Sequence, residues 1–353
     1  MELGKCYLND YYSYTRPLAN IMKQTVLLAL IIIASNNLYS QKTINHYVFF
    51  NIDRHRIQEE SFIESKALRG AQLKYRWSEL EPEKGIYNFE LIQNDLDFLK
   101  AKGKGLFIQI QDVSFDTSII NVPKYLLEDS IYNGGVEIMI GRNDDGIYEI
   151  EGLVARRWDI NVANRFHALL KELGRRFDGK ITGINLAETS IGLGTADMHP
   201  EGFSYESYFD AVKNNMRVLK GAFSNSTAIL YANFMPGDNF PLGKQSYLTR
   251  IYDFAEQIGV GMGGPDIKVY KYWQMEHSYK LMHGTKGISL GVAVQWGNYD
   301  LINPKTNQKV TIDDIYRFAN DELGLDYIFW STQEPYYTDF VLPYLNETFA
   351  DKK

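Results

Sequence analysis

The chain is predicted to fold as an α/β protein, a single (β/α)₈ (TIM) barrel, and three observations carry that expectation. From residue 44 onward, short apolar runs of β type alternate with amphipathic stretches of helical period, the pattern of a parallel sheet covered by helices. The runs are mostly continuous rather than alternating, as strands buried on both faces should be. At 353 residues, with no internal repeat and no proline-rich linker, the chain is long enough for one such barrel and shows no boundary for a second domain.

In order, the predicted strands are His46 to Asp53, Ala71 to Trp77, Gly105 to Gln111, Ile181 to Ala187, Ala228 to Asn233, Gly259 to Gly263, Ile288 to Gln295, and Tyr327 to Ser331. Between them, Leu91, Leu96, Phe98 and Leu99 share one helical face, and Val162, Phe166, Leu169, Leu170 and Leu173 share another. Asp313, Ile315, Phe318 and Ala319 open the last helix. The stretch from Val113 to Asp159, between strands 3 and 4, carries Gly134-Gly135 and Asn143-Asp144-Asp145-Gly146. These turn sequences predict an inserted loop or small subdomain that overhangs one end of the barrel.

The amino-terminal region reads differently. From Met22, Lys23 supplies a positive start, Val26 to Ala34 is an unbroken apolar run, and Leu38-Tyr39-Ser40-Gln41 resembles a small-residue cleavage site. That is the pattern of a secretory signal peptide over residues 22–41, so a secreted or periplasmic location is expected. The run is far shorter than the roughly 20 residues that span a bilayer, so no stable membrane anchor is expected. Residues 1–21 are polar and tyrosine-rich, out of place ahead of an export signal, and the expectation is that Met22 is the initiator and the barrel occupies 42–348. Cys6 is the one cysteine and lies in that leading stretch, which leaves the barrel without disulfide, thiol nucleophile or cysteine metal ligand.

A net charge of −7 argues against a nucleic-acid surface and anticipates a neutral or cationic ligand. The six histidines form no i,i+4 pair, and His277 and His283 fall on different helical faces, so no metal site is expected. Gly259, Gly261 and Gly264 match a dinucleotide-binding spacing, but Pro265 breaks the strand-turn-helix unit that this chemistry needs. Ser190 and Ser331 lack a nucleophile-elbow setting. No cofactor is implied, and the sequence says nothing of oligomeric state.

In a barrel of this kind the reacting groups lie at the carboxyl ends of the strands. Strand two runs into Arg76-Trp77-Ser78-Glu79-Leu80-Glu81-Pro82 and then Lys84-Gly85-Ile86-Tyr87-Asn88-Phe89. This stretch resembles the W-x-x-[IL]-E-P-x-x-G-x-Y-[ND]-[FW] segment of retaining barrel glycosidases. Among them are notably the β-galactosidase-like and cellulase-like members of the clan whose catalytic carboxylates sit on strands four and seven. The close match is local, and the strand order supports it across the rest of the barrel. Residue by residue, Trp77, Pro82 and Tyr87 also have a structural reading, as the fixings of a loop that launches a helix.

The resemblance implies hydrolysis of a glycosidic bond in an oligo- or polysaccharide. A carboxylic acid protonates the departing oxygen, and a second carboxylate attacks the anomeric carbon or activates water. The clan's acid/base glutamate corresponds to Glu188, in Ile184-Asn185-Leu186-Ala187-Glu188. Ala187 replaces the asparagine that usually precedes it, and Asn185 lies two positions earlier. Pleat alternation puts Glu188 with Leu186 on one face and Asn185 with Ala187 on the other.

At the end of strand seven Gln295 stands where the clan's nucleophile belongs, and a glutamine cannot act as one. Asp266, after Pro265, and Glu334, in Ser331-Thr332-Gln333-Glu334-Pro335, are the replacements, with Asp300 a third choice; a turn residue and a rim ion pair are their structural readings. A carboxylate separation of roughly 6.5 to 9.5 Å would predict inversion. Arg76, Gln109, Gln111, Asn185, Tyr231, Asn233 and Gln295 are the candidate hydrogen-bonding groups for a sugar, and Trp296 the candidate stacking platform. Polar plugging of the barrel explains Gln109 and Gln111 as well. The glutamine at strand seven also permits a barrel that binds glycans and has lost catalysis.

Overall fold

Eight parallel strands close on themselves in the computed structural model. They are β1 (Asn45–Phe49), β2 (Leu68–Arg76), β3 (Gly105–Gln111), β4 (Gly183–Leu186), β5 (Thr227–Tyr231), β6 (Gly261–Gly264), β7 (Leu290–Val294) and β8 (Tyr327–Ser331). The circular order is β1-β8-β7-β6-β5-β4-β3-β2, with every neighbouring pair parallel. All eight predicted strands are present in the predicted order, and β3 and β8 have the predicted ends. The structure describes residues 43–143, 145–270 and 277–350. The expected leader and the expected export signal, with Cys6, lie outside the described residues, and the compact unit begins at Ile44.

The barrel interior explains the glycines of β6. Inward positions on β1, β3, β5 and β8 carry Tyr47, Phe49, Phe107, Ile229, Tyr231 and Phe329, which pack into one buried cluster. Phe107 meets Tyr47 and Phe329 edge-on, with ring centroids 5.5 and 5.0 Å apart. Rings of that size leave no room on the facing strands. A Cβ at Gly263 would fall onto the Gly291 carbonyl, and one at Gly291 would lie 3.1 Å from the Phe329 ring. The glycine spacing there serves packing.

Around the barrel, α1 (Glu90–Ala101), α2 (Ile160–Phe177), α3 (Tyr205–Ala222) and α4 (Tyr247–Ile258) bury apolar stripes against the sheet. Asp159 starts α2 by accepting hydrogen bonds from the Asn161 and Val162 amides, and its predicted face is buried. Each fully buried Leu or Phe contributes about 1.5–3 kcal/mol. In α1 the buried stripe is Ile92, Leu96 and Leu99, whereas Leu91 is exposed, a correction to the predicted face by one residue's rotation. The last predicted helix begins at Ile312 and passes into a wider π turn over Phe318–Glu322.

The insertion after β3 is a three-stranded antiparallel sheet, with Tyr148–Ala155 between Val113–Ser114 and Val136–Arg142. Its hairpin is stitched to the loop beyond β4: the Ile140 amide donates to the Gly192 carbonyl (2.8 Å) and the Gly194 amide donates to the Ile140 carbonyl (3.1 Å). The small sheet therefore stands over the carboxyl end of the barrel. Among the described residues, no helix is long and apolar enough to cross a membrane.

Candidate active site

β4 ends at Leu186, and the two residues that follow carry Glu188 into the mouth of the barrel. The turn is fixed by the next residue. The Thr189 amide donates to the Tyr231 carbonyl (2.9 Å) and its hydroxyl to the Phe234 carbonyl (2.6 Å). Asn233, just past β5, donates from Nδ2 to Glu188 Oε2 at 2.7 Å. Burial raises the Glu188 carboxyl above the usual range, the Asp266 carboxylate adds like-charge repulsion, and Asn233, Arg157 and Lys74 act in the opposite direction.

The backbone beneath Glu188 rests on a buried network. Arg157 forks onto Asp112 (Nε to Oδ2 2.7 Å, Nη2 to Oδ1 2.6 Å) and donates from Nη1 to the Glu188 carbonyl and the Tyr208 hydroxyl, both at 2.9 Å. The Tyr208 hydroxyl in turn donates to the Thr189 carbonyl at 2.9 Å. Asp112 and Arg157 are 4% and 6% exposed at the side chain, so the pair is fully desolvated. Sequence reasoning did not find Asp112, Arg157 or Lys74. For Lys74 the available signal was a charge interrupting the apolar run Leu73-Lys74-Tyr75 at an inward position.

Asp266 lies past β6 at the same mouth. Its Oδ1 accepts from Asn298 Nδ2 (3.0 Å), its Oδ2 faces Lys268 Nζ (3.3 Å), and its carbonyl accepts from the Tyr279 hydroxyl (3.0 Å). Glu334 is held elsewhere, on the rim. It pairs with Arg56 (2.7 Å) and accepts from the Thr338 hydroxyl (2.7 Å) and amide (3.2 Å). Burial alone would raise its carboxyl, but the Thr338 and Arg56 hydrogen bonds prevail and hold it below the usual range. Asp300 sits in another rim cluster with Lys309, Tyr336 and Gln333, its carboxyl pulled down to about 2 by the Lys309 and Tyr336 hydrogen bonds.

Of the remaining candidates, Asn185 and Tyr231 lie deepest. Both are fully buried and share the Gln72 amide, which donates to Asn185 Oδ1 (2.9 Å) and to the Tyr231 oxygen (2.8 Å). They form the floor of the mouth. On β3 Gln109 lies in register with Asn185 and Gln111 two residues further along, with Gln109 Oε1 and Gln111 Nε2 buried and unpartnered. Arg76 is half-exposed at the end of β2, Gln295 is partly exposed at the end of β7, and Trp296 is 55% exposed on the rim. Among the described residues, no cluster of three or more His, Cys, Asp or Glu is placed to hold a metal.

No family pattern matches the sequence, and no curated protein does. Among solved structures, the chain is similar to a cold-adapted β-galactosidase from Rahnella sp. R3, with TM-score 0.51 and 12% identity over 83% of this chain and 51% of that one. It is also similar to a polyextremophilic β-galactosidase from the Antarctic haloarchaeon Halorubrum lacusprofundi, with TM-score 0.51 and 12% identity over 81% of this chain and 52% of that one. A family 39 glycoside hydrolase from the gut symbiont Bacteroides cellulosilyticus WH2 matches at TM-score 0.45 and 14% identity, over 82% and 56%. The likeness shows the fold. The chain spans about half the length of the two β-galactosidases.

The segment that resembles the barrel glycosidases is built into the scaffold. Trp77 is fully buried against Phe166 and donates from Nε1 to Glu81 (2.9 Å), and Glu81 also takes the Gly85 amide (2.9 Å) and an ion pair from Arg165 on α2. These contacts fix the loop that launches α1.

Proposed function

We propose that this protein is an exported glycoside hydrolase acting on an oligo- or polysaccharide, with Glu188 as general acid and Asp266 as the base that activates water. The carrying observation is the environment of Glu188. A carboxyl raised by burial stands at the mouth of a (β/α)₈ barrel, held by Asn233, with a second carboxylate close enough to repel its charge. A protonated carboxyl beside an ionised one is what glycosidic cleavage requires.

In the reaction, Glu188 gives its proton to the departing glycosidic oxygen as the bond from the anomeric carbon breaks. Asp266 takes a proton from water, whose oxygen bonds to that carbon from the opposite side. Gln295, in the position of the clan's nucleophile, leaves the direct attack to water, and the product is the inverted anomer. No metal or organic cofactor takes part. A groove of about 280 Å³, flanked by the loops that carry Glu188 and Asn233 and lined by Tyr148, His199, Phe203 and Tyr205, supports a substrate longer than one sugar. The amino-terminal pattern from Met22 supports export.

The test is hydrolysis of a glycan panel by the full chain beside Glu188→Gln, Asp266→Asn and Glu334→Gln. Loss of cleavage in the first two, with the third close to the parent, is expected. Cleavage that survives Glu188→Gln would refute the assignment. Gln295 also favours a second reading, a glycan-binding barrel without turnover, and tight binding with no cleavage by the parent would select it.

A further inference from the structure

Neighbouring strands β2 and β3 place Lys74 opposite Gln109 and Arg76 opposite Gln111. Lys74 and Arg76 are two residues apart on one strand and so face the same way, into the barrel, as does Gln72. The Lys74 ammonium lies 5.1 Å from the centre of the inward Phe49 ring, and among the described residues no carboxylate comes within ion-pair distance of it. Gln109 and Gln111 are 6% and 9% exposed, yet Gln109 Oε1 and Gln111 Nε2 have no hydrogen-bond partner. Arg76 is held only loosely, with Nε 3.9 Å from Glu79 Oε1 and both side chains about half exposed. Strand register therefore sets two cations and an unmet donor on neighbouring positions at one corner of the mouth, with the Glu188 carboxyl acting on Lys74 from beyond ion-pair distance.

We propose that this corner seats an anionic substituent of the bound sugar, a uronic carboxylate or a sulfate ester, with Lys74 and Arg76 as its cations and the Gln111 amide as a neutral donor. The inference rests on the glycan-binding mouth proposed above and names the class of glycan that fills it. Gln109 Oε1 accepts from a ring hydroxyl of the same residue. Lys74 is partly buried, and burial pulls it below its usual value with Glu188 acting only partly against that; an arriving anion offsets the cost. The overall charge of −7 anticipated a neutral or cationic ligand, but a ligand meets the local field of this corner, not the sum over the chain.

Isothermal titration of the full chain tests this, with tetrasaccharides of glucuronic, galacturonic and mannuronic acid, their neutral counterparts, and a sulfated galactan oligosaccharide. At least one anionic probe is expected to bind about tenfold or more tighter than its neutral counterpart, with an affinity that falls as salt rises. Binding confined to the uronates identifies a carboxylate, and binding confined to the sulfated probe identifies a sulfate. Lys74→Met should reduce the preference to within about threefold. Arg76→Gln, at an exposed position, should reduce it in the same direction without risk to the fold.

Equal binding of charged and neutral probes, an unchanged preference in both variants, or no binding of any probe overturns the inference. Hydrolysis of the glycan panel without charge preference would sink this inference and leave the proposed function standing. Charge-selective binding without hydrolysis would do the reverse.

Discussion

Replacing Arg157 by Met should be among the most damaging single changes to the barrel, and its size can be worked from the contacts. Four hydrogen bonds are lost: two to Asp112, one to the Glu188 carbonyl and one to Tyr208. Breaking a buried ion pair from one side costs about 3–5 kcal/mol, because the remaining charge is left without a partner. Leaving the Glu188 carbonyl without its donor adds about 1 kcal/mol. The sum, about 4–6 kcal/mol, is comparable with the whole stability of many domains, roughly 5–15 kcal/mol.

Urea unfolding of the full chain measures it, as a fall in midpoint at unchanged slope. The double variant Asp112→Leu/Arg157→Met removes both charges and should recover most of the loss, since apolar replacement of a buried pair is close to neutral. A single variant that loses less than about 1 kcal/mol, or a double variant no better than the single, would refute the reasoning.

Three further expectations concern the carboxylates. If Glu188 must be protonated to act, kcat/KM falls as pH rises through its raised value, and Asn233→Leu, which removes a donor to the carboxylate, moves that limb upward; a pH profile that moves downward contradicts the assignment. The folded state holds the Glu188 proton more tightly than the unfolded one, so its contribution to stability is present at low pH and is lost as pH rises through the folded value. Urea midpoints for Glu188→Gln should therefore gain on the parent as pH increases, and a constant difference would count against burial as the cause. Glu334 is paired at the rim with its side chain 46% exposed, so Glu334→Gln should cost about 1 kcal/mol or less and leave hydrolysis within about threefold. A thousandfold loss of activity would instead make Glu334 the second carboxylate.

The strands were legible because parallel sheets bury both faces, so each strand reads as an apolar run that a turn residue ends. Facing was legible within a strand, where alternation put Gln109 with Gln111 on one side of β3, but not past its end: Glu188, placed by alternation with Leu186, turns into the mouth while Leu186 packs outward. Height within the barrel was not, and Asn185, read as a mouth residue, proves to be floor because tilt brings Gln72 against it. Partnerships across long separations were invisible for the same reason. Arg56 meets Glu334 across 278 positions through closure of the barrel, and Arg157 meets Asp112 across 45 through the return of the inserted sheet to its own base. Glu188 could be placed at the barrel mouth from the sequence because a position just past a strand end is set by chain order.

The Asp112–Arg157 pair also closes the insertion at its base. Asp112 directly precedes the first strand of the small sheet and Arg157 follows its last, with the Ala155 amide donating to the Asp112 carbonyl at 2.8 Å. Everything from Val113 to Arg156 is thus a loop drawn shut by a knot that also grips the backbone of Glu188. Exposed positions of the hairpin beyond that knot, such as Ile147 and Ile150, can change while the carboxyl stays where it is. The barrel can exchange the part that reaches toward a ligand without disturbing the part that would react with it.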